Sequence, residues 1–219
     1  METYSFPPAL WAASQSWFLD ARTRSGGETV TGREPVVSSG LSRWMCSLTF
    51  PLYSRETILA HGALLAQLEG RANAVRLPFC PGPTGARVLP RINGVPYAGR
   101  NLWLRPGVLP ESLGVAPTVR VTALAGATEI VLNMGTLVGL EPGVIFGLGE
   151  RLYIVTEMHG VSVTNVKFRP KLRFQINAGT AVNWKNPRCI MRLQTDDSGR
   201  ADIALRRTGS AQMDFVEVW

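Results

Sequence analysis

The chain has 219 residues, 45% hydrophobic and 18% charged, a balance that supports a buried core and excludes wholesale disorder. Lys and Arg outnumber Asp and Glu by 23 to 16, so the formal charge is +7; that sign fits nucleic acid, an anionic surface or an acidic protein neighbour without choosing among them. No stretch reaches the roughly 20 apolar residues of a membrane-spanning helix, and the region from Met1 to Asp20 lacks the basic start and apolar run of a secretory leader.

Glycine (22) and proline (15) punctuate short runs of Val, Ile, Leu, Thr and aromatics, which is the texture of a β protein. Residues 1–16 mix Pro7, Pro8 and aromatics without a period and are expected to form an N-terminal arm ordered against a neighbour. Residues 17–19 read as a short buried strand. Residues 22–33 carry two adjacent glycines between polar runs and read as a loop or hairpin tip. A better strand covers 42–52, with Trp44, Cys46, Leu48 and Phe50 on one face; Pro51 ends or edges it.

A helix is predicted over about 54–69. Ser54 is the N-cap, Glu56 suits the positive end of the helix dipole, and Gly70 is the stop. Ile58, Leu59, Gly62, Leu65, Ala66 and Leu68 are expected to form its apolar stripe. A strand at 73–79 follows. Together 17–80 read as a first β domain.

Residues 81–117 then change character. Proline and glycine are dense, Arg87, Arg91, Arg100 and Arg105 lie here, and no acid occurs from Gly70 through Pro110. This is an irregular excursion with one or two short strands, 101–104 the best of them; segments this long are usually functional or anchored elsewhere. Residues 118–168 read as a small β domain of hairpins. Val119, Val121 and Ala123 alternate, 129–133 is a strand, Glu141 to Gly143 is a turn, and 144–148 pairs with 151–156 across Gly149 and Glu150. A strand at 161–168 closes the group. Residues 169–219 hold further strands (172–176, 181–184, 189–195, 201–206 and 212–219) that complete the first domain, with a hairpin turn at 196–199. In the last strand Met213, Phe215 and Trp219 share a face on which Glu217 is the exception.

The search for chemistry finds no organised set. His61 and His159 lack partners at metal or nucleophile spacing and read as helix-side or surface histidines. Ser14, Ser16 and Ser25 sit in no nucleophile elbow. The glycines at 143, 147 and 149 belong to a hairpin, because no helix follows to present amides to a phosphate. Asp196, Asp197 and Asp202 have the wrong spacing for a calcium loop. Cys46, Cys80 and Cys189 are odd in number and widely spaced, so reduced thiols are expected, in a chain assembled in a bacterial cytoplasm. Neither an enzyme nor a cofactor is expected.

Charge gives one further feature. Lys167, Arg169, Lys171, Arg173, Lys185, Arg188 and Arg192 fall in a stretch without acids, and the first four alternate as one strand face would. Three readings stand side by side: a solvated face, a subunit interface, where Arg favours forked contacts to carboxylates, or a nucleic-acid groove in which Phe168, Phe174 and Trp184 stack bases. Interface candidates are Lys167, Arg169, Lys171, Arg173, Arg22, Arg24, Arg33 and Trp103. A carbohydrate or receptor module would use Trp103 and Tyr97.

The order of motifs resembles a known group. Gly32-Arg33-Glu34, Arg43-Trp44, Phe50-Pro51-Leu52, the capped helix through Leu68 and Gly70-Arg71-Ala72-Asn73 come first. Leu140-Glu141-Pro142-Gly143, Phe168-Arg169-Pro170-Lys171, Gly179-Thr180-Ala181-Val182 and Phe215-Val216-Glu217 follow. Over roughly 20–80 and 118–219 the chain resembles minor tail or distal-tail-like structural proteins of tailed phages and prophages. The resemblance implies a β-sandwich or split barrel flanked by one α-helix, with an added small β-barrel or hairpin domain. It also implies a homo-oligomeric ring in the virion tail or baseplate that joins the tail tube to hub and fibres. No membrane partner is expected, and nucleic acid is not the favoured partner. The alternatives are a virion receptor-binding β module and a single-stranded nucleic-acid-binding barrel.

Overall fold

The structure, a computed structural model, describes residues 1–27, 32, 34–38, 40–79, 91–92, 95–96, 117–134, 140–160, 163–184, 187–203 and 209–218. In chain order its elements begin with β1 (Thr3–Ser5), β2 (Ser14–Asp20), β3 (Thr23–Ser25), β4 (Val36–Ser38), β5 (Arg43–Leu52), α1 (Arg55–Leu68) and β6 (Ala74–Pro78). Next come β7 (Arg91–Ile92), β8 (Val95–Pro96), β9 (Thr118–Val119), β10 (Glu129–Asn133), β11 (Ile145–Leu148), β12 (Arg151–His159) and β13 (Val163–Arg169). The last are β14 (Val182–Asn183), β15 (Arg188–Leu193), β16 (Ala201–Ile203) and β17 (Gly209–Glu217). The fold is mainly β, with one helix among the described residues. The strand expected at 101–104 lies outside them, as do Cys80, Tyr97, Trp103 and Arg33.

The first unit is a seven-stranded sheet ordered β1-β6-β15-β17-β5-β2, with β16 also paired to β17. Strand β5 shows how sequence makes it. Its residues alternate half-buried and buried from end to end, so Trp44, Cys46, Leu48, Phe50 and Leu52 line one face, as a period of two requires. Met213 and Phe215 of β17, Met191 and Leu193 of β15, and Val75 and Leu77 of β6 join the same core. Each large apolar side chain buried there contributes roughly 1.5–3 kcal/mol. The sheet curls: Trp17 on edge strand β2 meets Phe79, just past β6, with ring centroids 5.4 Å apart. Beyond β2 and β5 the ribbon β3–β4 continues outward, every residue of it exposed.

Three features of this unit differ from the sequence reading. Residues 1–16 dock on their own chain: β1 lies parallel to β6, Leu10 is buried, and Phe6 sits 5.9 Å from Phe50. The apolar Phe6 and Leu10 supply an anchor that a periodicity search passes over. The helix begins at the expected Ser54 cap, which forms a capping box with Thr57, but its buried face is Thr57, His61, Leu64 and Leu68. Leu59, Gly62 and Ala66 are exposed, and Ile58 and Leu65 are half-buried flanks. Counting only apolar residues rotates the stripe, because two polar residues are part of the true one: Thr57, bonded within the cap, and His61, bonded to the distant Gly199 backbone. Finally, 196–199 is no hairpin. Strand β15 pairs with residues 215–217 and β16 with 209–211 along the same edge of β17, so 194–200 is an excursion within one interrupted strand.

That excursion lies over the helix. Asp196 accepts the Arg71 backbone N–H at 3.1 Å. Gly70 and Gly199 are the points of closest approach. A Cβ on Gly70 would stand 2.6 Å from the Asp196 carboxylate, and one on Gly199 would stand 2.7 Å from Leu65. Both have positive φ, +65° and +91°, so glycine serves geometry and space at once.

The second unit is a six-stranded sheet ordered β14-β11-β12-β13-β10-β9, inserted in sequence between β6 and β15. It nearly closes into a barrel. Thr118 bridges Ala181, and the Val119 and Val182 amides donate to the Thr180 and Pro117 carbonyls at 2.9 and 2.8 Å. Phe146, Tyr153 and Phe168 pack at its centre, with centroids 5.2–5.9 Å apart. The hairpin across Gly149 and Glu150 has the expected register, Leu148 opposite Arg151. Residues 169–184 belong here as well: Ile176 bridges Ala123 without forming a strand at 172–176, and β14 pairs with β11. The barrel therefore runs from 117 to 184, past the expected limit at 168, and β15 to β17 return to the first sheet.

Strand β12 is the seam between the units. Tyr153 and Val155 point into the barrel, while Leu152 is part of the first unit's core and Ile154 packs against it. Ile145 and Phe146 on β11 divide the same way. A strand covered on both faces carries apolar residues without alternation, which is the pattern of 152–155.

Candidate functional site

The most organised polar cluster lies at one end of this seam. Glu217, the last residue of β17, has a side chain only 1% exposed. Its Oε1 accepts from Arg151 Nη1 at 2.9 Å, and its Oε2 accepts from Arg173 Nη2 at 3.2 Å and from the Trp44 backbone N–H at 3.0 Å. Arg151 starts β12 and Arg173 follows β13, so both arginines come from the barrel and the acid from the sheet. Arg173 Nη2 also donates to the Ser42 carbonyl at 3.2 Å, and the Trp44 indole N–H donates to the Leu152 carbonyl at 2.8 Å. Burying a carboxylate is tolerable only with such a set of donors.

The surrounding groups are held away from reactive states. Burial pushes the Tyr153 hydroxyl up to about 12. Burial, and then the charge of Glu217, raises the Cys189 thiol well above its ordinary value, opposite to what a nucleophilic thiolate requires. Burial lowers the Arg173 guanidinium against the pull of Glu217; arginine stays charged even so. The cluster fixes one unit to the other.

Next to it is a half-open hollow of about 360 Å³. Its walls are mainly apolar: Leu148, Tyr153, Phe174, Ile176, Ile190 and Val218. The Arg151 guanidinium lies over the Phe174 ring, 5.2 Å from its centroid. Glu150, at the rim, pairs with Arg76.

The basic row does not form one face. Lys167 and Arg169 lie on the outside of β13; Lys167 donates to Glu157 at 2.7 Å and Arg169 to the Phe168 carbonyl at 2.9 Å. Lys171 lies beside Gly40, and Arg173 turns inward to Glu217. The strand ends at Arg169, so the alternation of a continuous β face stops there. Phe168 and Trp184 are barrel core and Phe174 is exposed. Arg22 pairs with Asp20 at 3.6 Å, and Arg24 is exposed on the ribbon. Arg33 and Trp103 lie outside the described residues.

His61 is buried at 3% exposure, where a helix-side or surface position was expected, and His159 is exposed. Cys46 and Cys189 are buried and form no disulfide among the described residues. Arg151 was missed in the sequence. The available signal was Glu217 itself, a lone acid among apolar strand residues, which needs a buried cation somewhere. Among the described residues no helix is long and apolar enough to cross a membrane, and no group of His, Cys, Asp and Glu is arranged to hold a metal. No protein-family model matches the chain, and no curated protein matches it.

Proposed function

We propose that the chain is a structural component of a phage tail or baseplate, a distal-tail-like ring subunit or an adaptor between tube and hub or fibres. The observation that carries this reading is the construction of the molecule: a curled sheet with one helix, and a barrel clamped to it through a shared strand and a buried ion cluster. Its ordered polar centre serves cohesion, with Cys189 and Tyr153 held protonated. The β3–β4 ribbon, with Val36 and Val37 exposed, supplies apolar surface that a neighbour would cover; an isolated two-stranded ribbon is marginal in water. Closed rings repeat one such contact around an axis.

Light scattering and negative-stain electron microscopy of the purified chain, alone and mixed with tail-tube and hub proteins, test the reading. A ring or a stable stoichiometric complex is expected. A chain that stays monomeric throughout and enters no particle contradicts it.

A further inference from the structure

The hollow beside the ion cluster has a chemistry of its own, independent of any role in assembly. Glu217 accepts from two guanidiniums, Arg151 and Arg173. Among the described residues Glu217 is the only side chain that accepts a hydrogen bond from Arg151, and it takes only Nη1. The Nε and Nη2 donors are not sealed in the interior, and the arginine forms part of the wall of the hollow. Arg151 is also held in place, by Glu217 on one side and by the Phe174 ring on the other. A guanidinium fixed in this way has spent the rotamer entropy that a mobile surface arginine loses on binding.

Small-ligand sites combine apolar walls with few fixed polar groups and favour junctions between structural units. We propose that this hollow is a binding site for a small apolar carboxylate, an aryl or branched alkyl group bearing one acid. The apolar body would lie against Phe174, Ile176, Ile190 and Val218, and the acid would take the free N–H donors of Arg151. At about 360 Å³ the space lies at the lower end of the range for such sites.

Phenylacetate and its neutral counterpart phenylacetamide are suitable probes, titrated into the full chain and followed by amide chemical shifts. Phenylacetate should bind with a dissociation constant on the order of millimolar, with shifts centred on Gly149, Arg151, Phe174 and Ile190. Phenylacetamide should bind at least about tenfold more weakly, as the loss of a charged hydrogen bond implies. Arg151→Met, which keeps the aliphatic stem, should abolish the preference for the acid. Because that change also removes a partner of Glu217, Phe174→Ala provides a second check: Phe174 is 63% exposed, so the fold should persist while phenylacetate affinity falls several-fold. Equal affinity for acid and amide, shifts centred elsewhere, or no binding of either would overturn the proposal. None of these results bears on ring formation, which is measured separately.

Discussion

Among the described residues, Glu217 and His61 are both buried polar side chains set between distant segments, and the two sites are built differently. Glu217 lies at the seam between sheet and barrel and accepts from three donors on three segments. His61 lies under the 194–200 excursion; a backbone hydrogen bond with Gly199 holds it, and its Nε2 has no partner among the described residues. At the first site two guanidiniums and a backbone N–H hydrogen-bond the side chain. The second keeps its residue neutral, because burial pushes the His61 imidazole below its ordinary value. A buried charge with a complete set of partners works as a clamp, and a buried imidazole with one partner responds to pH.

Substitution at the clamp should have the largest effect. Glu217→Ala leaves two arginines facing each other without their carboxylate and the Trp44 amide without its acceptor. A loss of roughly 3–5 kcal/mol is expected for breaking a buried pair, read from urea unfolding; a loss below about 1 kcal/mol would mean that water satisfies the cluster. On the helix side, Gly199→Ala places a methyl group against Leu65 at a positive φ. It should cost roughly 1–3 kcal/mol, and a neutral result would show that the excursion yields freely. Ser54→Ala removes the cap of α1 and should cost about 1 kcal/mol.

The smallest effect is a change of slope. With the folded pKa of His61 lowered from 6.5, the unfolded chain binds its proton first as pH falls. The contribution of this group is therefore fully present above 6.5 and is lost progressively below it. His61→Gln should flatten the stability profile below about pH 6.5 relative to the parent. Parallel profiles for the two proteins would remove His61 from the account.

Much of the fold was legible because its signals are local. The alternation of β5, the Ser54 cap and the Gly149-Glu150 turn each depend on residues within one element or loop. The barrel limit at 184 was not legible, since its closure rests on Thr118 meeting Ala181. Nor was the interruption of the strand formed by β15 and β16, because a turn sequence such as 196–199 does not say whether the flanking strands pair with each other or with a third. The basic row misled for the same reason. Alternation predicts one face only while a strand lasts, and this one ends at Arg169. The clamp joins residues 44 and 66 positions apart, so the sequence marks Glu217 as an exception and carries no local sign of its partners.

The central claim is that sheet and barrel are fastened into one body through β12 and Glu217. Urea unfolding followed by two probes tests it most directly: far-ultraviolet circular dichroism for the whole chain and amide signals from barrel residues such as Val166 and Phe168. Coincident transitions are expected in the parent chain, and separated ones in Glu217→Ala. A parent chain whose barrel melts apart from the rest would contradict the claim.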